Sequence, residues 1–550
     1  MKSKRLQLGM WVAALSLAVS AGAVPAPSVT PGPGTLPVAP GPFKPAWDSL
    51  ESQYRCPEWF RDAKFGIWAH WTAQCVPEQG DWYAKHLYES TQVDKKTGKV
   101  IGKPSADYLY HVAHYGPPSK FGFKDIDNLW HAEKWDPEKL IALYKRAGAK
   151  YFVALANHHD NFDCYDSKYQ PWNSVNLGPK KDIVGGWAKA ARAAGLRFGV
   201  TVHAGRAWSW FEVAQGADRE GPLKGVPYDG KLTKADGKGQ WWEGYDPQDL
   251  YAQNHQPGAK PDQAYCDKFY NRTVDLINKY QPDLLYFDDG VLPLRGSSEE
   301  YGLRIAAHLY NSSAQAHGGK CEAIMNTKGL DEQQRKALVW DIERGVSGRV
   351  EPFVWQTDTC IGGWHYNRST YDKNGYKTPA MVVRMLADIV SKNGNLLLDI
   401  PVRGDGSIDE KEVACLEGIA AWTKVNGEAI FGTRPWKVYG EGPSTVQLSE
   451  KNRFGGLKDV RDAPYTGADM RFTTKGATLY AILLDWPQDG RATVKSLAAG
   501  ADKYPGEIAK VELLGCSEPL KFTRGPDGLS VTLPAQKPCA DAFALKITPK

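Results

Sequence analysis

The chain has 550 residues, too many for one hydrophobic core, so two or more domains are expected. An apolar fraction of 42% and a charged fraction of 24% are ordinary for a globular protein and exclude a disordered or fibrous one. A net charge of +5 is too small over this length to argue for a nucleic-acid partner. The unusual feature is aromatic content, 20 Trp and 26 Tyr, and such rings suit the apolar faces of sugars as well as a core.

Residues 1–23 read as a cleaved signal peptide. Lys2, Lys4 and Arg5 give a basic start, Leu8 to Val19 an apolar run, and Ala21-Gly22-Ala23 a small-residue cleavage site. The run is too short to span a bilayer, and no later stretch is long and apolar enough, so a secreted or periplasmic protein is expected. Residues 24–46 carry Pro every few positions and predict an extended linker without a core. None of the nine cysteines forms a CxxC pair, which argues against a structural zinc site. The odd count leaves at least one thiol without an intrachain partner, and Cys516 with Cys539 is the first pair to test.

Residues 47–436 predict one α/β domain. Phe65 to Ala69 is an apolar strand ending on His70. Asp136-Pro137 suit a helix start, Leu140, Leu143 and Tyr144 fall at helical spacing, and Gly148 suits its end. Tyr151 to Ala156 is then a buried strand, followed by His158, His159 and Asp160. The grammar repeats with a helix from Ile183 to Ala194 and a strand ending on His203. It repeats again in Tyr280–Leu294, YQPDLLYFDDGVLPL, where a buried strand ends on Asp288-Asp289-Gly290. Helix-then-strand units with polar residues at the strand ends point to a (β/α)8-like barrel with its site at the C-terminal face. A doubly wound sheet fits the same grammar but lacks its Gly-rich dinucleotide loop. Residues 437–550 hold short alternating segments between Gly, Pro and Asp turns, and predict a small all-β sandwich that packs on the barrel.

Carboxylates at a barrel mouth suit acid–base and nucleophilic chemistry. Asp288 and Asp289 must face opposite sides of their strand, and alternation leaves open which faces the mouth. An Asp before Gly also serves as an ordinary turn residue. Adjacent His158 and His159 cannot easily ligate one ion from a regular strand, and HExxH is absent, so no metal is expected.

KFGIWAHW, GDWYA, KRAGAKYFVALANHHDNF, PDLLYFDDG, ERG with WQTDTCIGGWHYN, and SKNGNLLLDIPVRGDGSI together resemble the α-L-fucosidases of glycoside hydrolase family 29. The resemblance covers about residues 47–436, and RFTTKGATLYAILLDWP is similar to that family's β-domain. It implies an exo-acting retaining hydrolase, without cofactor, whose partner is a fucosylated oligosaccharide or glycoprotein glycan. It makes Asp288 the nucleophile and places Tyr286 where the family usually has Trp. It makes His70, Trp82, His158, His159, His203 and Arg344 sugar contacts, with Trp82 and Trp364 walling the apolar face. One position departs: Gln356 follows Trp355 where many members carry Glu, and an amide cannot cycle a proton. Glu343 is the favoured acid/base, although on a strand it would face away from Arg344. Asp358 is the alternative, followed by Glu351, Glu78 and Asp81. A fucose-binding protein on an inactive scaffold, or a glycosidase acting on a galactoside, are the competing functions.

Overall fold

The computed structural model describes residues 30–91, 94, 97, 99–294, 297–444, 452, 457–458 and 464–550. The signal-peptide assignment, 1–23, lies outside the described residues.

Eight parallel strands close into a barrel. They are β1 (Phe65–Ala69), β2 (Tyr151–Asn157), β3 (Arg197–Val202), β4 (Leu284–Gly290), β5 (Ile324–Lys328) and β6 (Val339–Asp341), then β8 (Trp355–Cys360) and β9 (Gly394–Asp399). A two-residue strand outside the barrel, β7 (Gly345–Val346), separates β6 from β8, and β9 pairs back onto β1 to close the ring. The helices between strands start and stop where local chemistry dictates. Asp136 caps the helix Pro137–Arg146 by accepting from the Lys139 amide at 2.9 Å. Gly148 follows that helix at φ +110°, a conformation other residues rarely adopt.

Burial on both faces of each strand makes two apolar cores. Trp68, Tyr151, Val153, Leu284, Tyr286, Ile324, Val339 and Leu397 fill the barrel interior. Their neighbours Ile67, Phe152, Leu285, Phe287, Met325 and Leu396 pack outward against the helices. The period of two sorts the strands into an inner and an outer set, with register shifts near the C-terminal ends of β2 and β4.

The C-terminal domain is a sandwich of two antiparallel sheets. One holds β10 (Arg434–Glu441), β12 (Met470–Lys475), β13 (Thr478–Leu483), β15 (Ile508–Leu513) and β18 (Phe543–Pro549), in the order β10-β12-β13-β18-β15. The other holds β14 (Arg491–Val494), β16 (Lys521–Gly525) and β17 (Gly528–Thr532). Phe472, Leu483, Val494, Leu513, Val531 and Leu545 form the core between them. Its first strand begins at Arg434, two residues inside the barrel domain drawn from sequence. Strand β11 (Leu457–Lys458) leaves this domain to pair with β7.

Two expectations are corrected. Residues 30–46 form neither helix nor strand and include a turn closed by the Thr35 amide on the Gly32 carbonyl at 3.1 Å, but they are not a free linker. Backbone amides of Gly32, Leu36 and Phe43 donate to Asp267, Asn271 and Asn311 on the helices Gln263–Tyr280 and Glu299–Ala316. Phe43 is buried against Tyr310, with ring centroids 5.3 Å apart. Cys516 and Cys539 do not pair; all nine thiols are free, and the Cys539 sulfur lies 3.2 Å from the Asp541 carbonyl oxygen.

Candidate active site

Strand parity decides which side chains reach the mouth. Extending the inward set by two residues from Trp68, Thr201, Tyr286, Asn326 and Gln356 gives His70, His203, Asp288, Lys328 and Asp358. All five line one cleft of about 410 Å³, part of it open to solvent, with Asp81, Trp82, His158, Arg206, Glu343 and Trp364. A register shift between Leu155 and Asn157 breaks the alternation on β2 and turns the His158-His159 pair toward the site. Trp82 adopts a left-handed backbone, φ +68°, unusual for an aromatic residue.

Parity also resolves the two aspartates. Asp288 faces the cleft. Asp289 faces the wall, where it accepts from Arg206 Nε at 3.2 Å, and burial pushes its carboxyl up to about 6 despite that partner. Lys328 Nζ donates to Asp288 Oδ1 and also, at 2.7 Å, to Glu343 Oε2. His159 Nε2 and His203 Nδ1 each stand 3.4 Å from Asp288 Oδ2. Burial alone would raise the Asp288 carboxyl, but the Lys328 ammonium, with His159 and His203, outweighs it and holds the group well below the usual carboxylate range.

Burial holds three of the imidazoles neutral. Burial, with the neighbouring rings, depresses His70 and His158 well below the ordinary histidine value and brings His203 to about 4. Gln74 Nε2 donates to His158 Nδ1 at 2.8 Å, which leaves the proton on Nε2. Among the described residues neither ring nitrogen of His70 has a hydrogen-bond partner, although the side chain is buried. Buried polar atoms without partners are costly, and both nitrogens are open to a polar group in the cleft. The Trp364 ring packs against Trp68 at 5.5 Å and gives the cleft an apolar wall.

The acid/base candidates separate clearly. Glu343 and Asp358 line the cleft, the Glu343 side chain 20% exposed at the mouth and Asp358 buried beneath. Tyr286 donates to Asp358 Oδ2 at 3.2 Å, and burial raises that carboxyl. Asp81 also lines the cleft but pairs with His365 Nδ1 at 2.8 Å. Glu351 is bound elsewhere, by Ser347 at 2.6 Å and by Arg335 and Arg349, both at 3.3 Å. Glu78 does not line the cleft either.

Some expected contacts stand one layer back. His159, Tyr286 and Arg344 are not in the lining. Arg344 turns behind Trp364, its guanidinium 4.8 Å from the ring centroid, and donates to the Cys360 sulfur at 3.0 Å. Its φ of +47° shows that Glu343-Arg344 is a turn, so the strand objection to Glu343 falls away. Gln356 lies below the cleft, accepting from the Tyr151 hydroxyl at 3.1 Å and donating to Asp341 at 2.9 Å. The missing carboxylate at that position therefore takes no proton donor from the mouth.

Lys328, Arg206 and His365 were missed by the sequence reading. Lys328 was within reach of it, because it ends a strand on the same parity as Asp288. Arg206 ends a short 3-10 turn, Ala204–Arg206, and His365 comes from a loop; no period marks either of them. His70, Asp81, His158 and His365 bring potential ligand atoms within 4.8 Å of one another, a set that could hold a divalent ion. Three of the four are engaged in hydrogen bonds with the protein: Asp81 with His365, and His158 with Gln74.

A closed (β/α)8 barrel with carboxylates and neutral imidazoles meeting at its C-terminal mouth has the architecture of a glycoside hydrolase. Residues 35–428 match the Alpha-L-fucosidase family profile, and residues 464–548 match the Alpha-L-fucosidase C-terminal domain. The chain belongs to the α-L-fucosidase family. It is 26% identical over 528 residues to the tissue alpha-L-fucosidase of Rattus norvegicus, covering 93% of this chain and 94% of that one. It is 27% identical over 520 residues to the plasma alpha-L-fucosidase of Homo sapiens, covering 92% of each. A Thermotoga maritima alpha-fucosidase solved in complex with fucose superposes with a TM-score of 0.65 at 26% identity, over 92% of this chain and all of that one. Among the described residues, no helix is long and apolar enough to cross a membrane.

Proposed function

We propose that the protein is a secreted, exo-acting, retaining α-L-fucosidase that removes terminal fucose from glycans, with Asp288 as nucleophile and Glu343 as acid/base. The observation that carries this reading is the shared lysine. Two oxygens bonded to one ammonium nitrogen can be no more than roughly 6 Å apart. That bound, set on the nearest oxygens, favours the ~5–5.5 Å carboxyl spacing of retaining enzymes over the ~6.5–9.5 Å of inverting ones.

Lys328 also suits the charge flow of the two steps. In the first, Asp288 forms a bond to the anomeric carbon as Glu343 gives its proton to the departing oxygen, so negative charge passes from Asp288 to Glu343. In the second, Glu343 takes a proton from water, water displaces Asp288, and the charge returns. An ammonium bonded to both groups stays paired throughout. His70, His158 and His203, neutral in the cleft, offer donors and acceptors to sugar hydroxyls, and Trp82 and Trp364 supply apolar walls. The relative from Thermotoga maritima has also been solved with a mechanism-based inhibitor, which is consistent with a covalent intermediate. Secretion rests on the basic, apolar and small-residue pattern of residues 1–23.

Asp358 is the rival for proton transfer, because its carboxyl is raised and it shares the cleft. It is 1% exposed and covered from below by Tyr286, whereas the aglycone leaves at the mouth, where Glu343 stands. Azide rescue on an activated aryl α-L-fucoside separates them. Glu343→Gln should yield the α-fucosyl azide, because azide displaces Asp288 from the covalent intermediate. Asp288→Ala should yield the β-azide. Rescue of Asp358→Asn with none of Glu343→Gln would reassign the acid/base. A β-fucose as the first hydrolysis product seen by NMR would overturn retention.

A further inference from the structure

Between β10 and β12 in the chain, Asn452 and the strand β11 lie against the turn at the barrel mouth. Strand β11 pairs antiparallel with β7, Leu457 opposite Val346 and Lys458 opposite Gly345. Five residues before Leu457, Asn452 Nδ2 donates at 2.8 Å to the main-chain carbonyl of Glu343. A Cβ on Gly345 would stand 2.6 Å from the Leu457 carbonyl oxygen and 2.7 Å from Asn452 Nδ2, so a glycine is what allows the two segments to close.

The turn they grip is the one that presents Glu343. On the barrel side, the Ile342 amide donates to the Gln356 carbonyl at 2.9 Å and the Arg344 amide to the Asp358 carbonyl at 2.8 Å. On the other side the Glu343 carbonyl is taken by Asn452. The turn contains Arg344 at φ +47°, a conformation that needs such outside support. Lys328 then fixes the far end of the side chain.

We infer that the C-terminal domain completes the catalytic apparatus, with Asn452 a positioning residue that sets Glu343 for proton transfer. This rests on the reading of Glu343 as acid/base. Freeing the carbonyl lets the turn relax, and a displacement of about 1 Å at a catalytic group can cost up to ~10²-fold in rate. The loss should scale with the demand for a proton, because an acidic phenol departs with little help and a basic one does not.

The test uses the full-length protein and kcat/KM across aryl α-L-fucosides of graded leaving-group pKa. Asn452→Ala is expected to lose activity increasingly along the series, reaching roughly tenfold with unsubstituted phenol. Gly345→Ala, which pushes β11 and Asn452 away, should steepen the same plot and serves if Asn452→Ala folds poorly. Glu343→Gln is the reference and should give the steepest dependence. A uniform loss across the series in both variants, or no loss, with a steep Glu343→Gln plot, would overturn the inference alone. A flat Glu343→Gln plot would overturn the acid/base reading and the inference with it.

Discussion

Lys328→Met removes the ammonium that Asp288 and Glu343 share. Leaving a buried charge without its partner costs about 3–5 kcal/mol. At 1.36 kcal/mol per pKa unit, the lower end falling on Asp288 would raise its carboxyl by roughly two units. Burial already pushes that carboxyl up, and His159 and His203, each at 3.4 Å, would be left to oppose it. Asp288 must be ionised to attack, so the acidic limb of kcat/KM should move upward by roughly two units. Activity is then lost first in acid and partly returns as pH rises. Lys328→Arg keeps the charge and should leave the limb near that of wild type. The assay is kcat/KM on an aryl α-L-fucoside from about pH 2.5 to pH 8, with circular dichroism to confirm the fold at each end. An unmoved limb in Lys328→Met, or the same shift in Lys328→Arg, would refute the reasoning.

The depressed Asp288 carboxyl also predicts a stability effect. Its folded value lies below its unfolded one, so it stabilises the fold above the ordinary carboxylate range and stops doing so as pH falls through its folded value. The Tm gap between wild type and Lys328→Met should therefore narrow in acid; a gap that widens there would contradict the assignment. His70→Phe removes a buried ring whose two nitrogens have no partner among the described residues, and should lower kcat/KM by on the order of 10²-fold with little change in Tm. Arg272→Met strips Asp163 of a partner at 2.7 Å and frees the loop after β2 that carries His158-His159, and should cost about 3–5 kcal/mol in denaturant unfolding. Phe43→Ala should cost about 3–5 kcal/mol if residues 30–46 are held to the barrel as described, and close to nothing if they are a free tether.

Periodicity made much of this protein legible. Helix-then-strand grammar gave the (β/α)8 barrel, and turn-punctuated alternation gave the β-domain, because both patterns follow from which side of a short element meets the core. The residues that end strands, His70, His203 and Asp288, were marked in the same way, and Lys328 carried an equal mark. The loops behaved differently. Trp82, Glu343 and Trp364 reached the cleft, and Arg344 turned behind a tryptophan, for reasons that no local pattern encodes. The Pro-rich stretch 30–46 showed its lack of helix and strand in its composition but not its docking, which depends on side chains more than two hundred residues away.

Sequence alone therefore determined the first four barrel strands, among them the candidate nucleophile strand Tyr280–Leu294, and the family likeness. Tertiary structure decided that Asp288 and not Asp289 faces the cleft, that Gln356 lies beneath it, and that one lysine joins Asp288 to Glu343. It also brought Asn452, from the C-terminal domain, onto the carbonyl of Glu343. The physical reason is range. Alternation and capping act over a few residues, whereas a site at a barrel mouth is assembled by closing the sheet, which brings together groups distant in the chain.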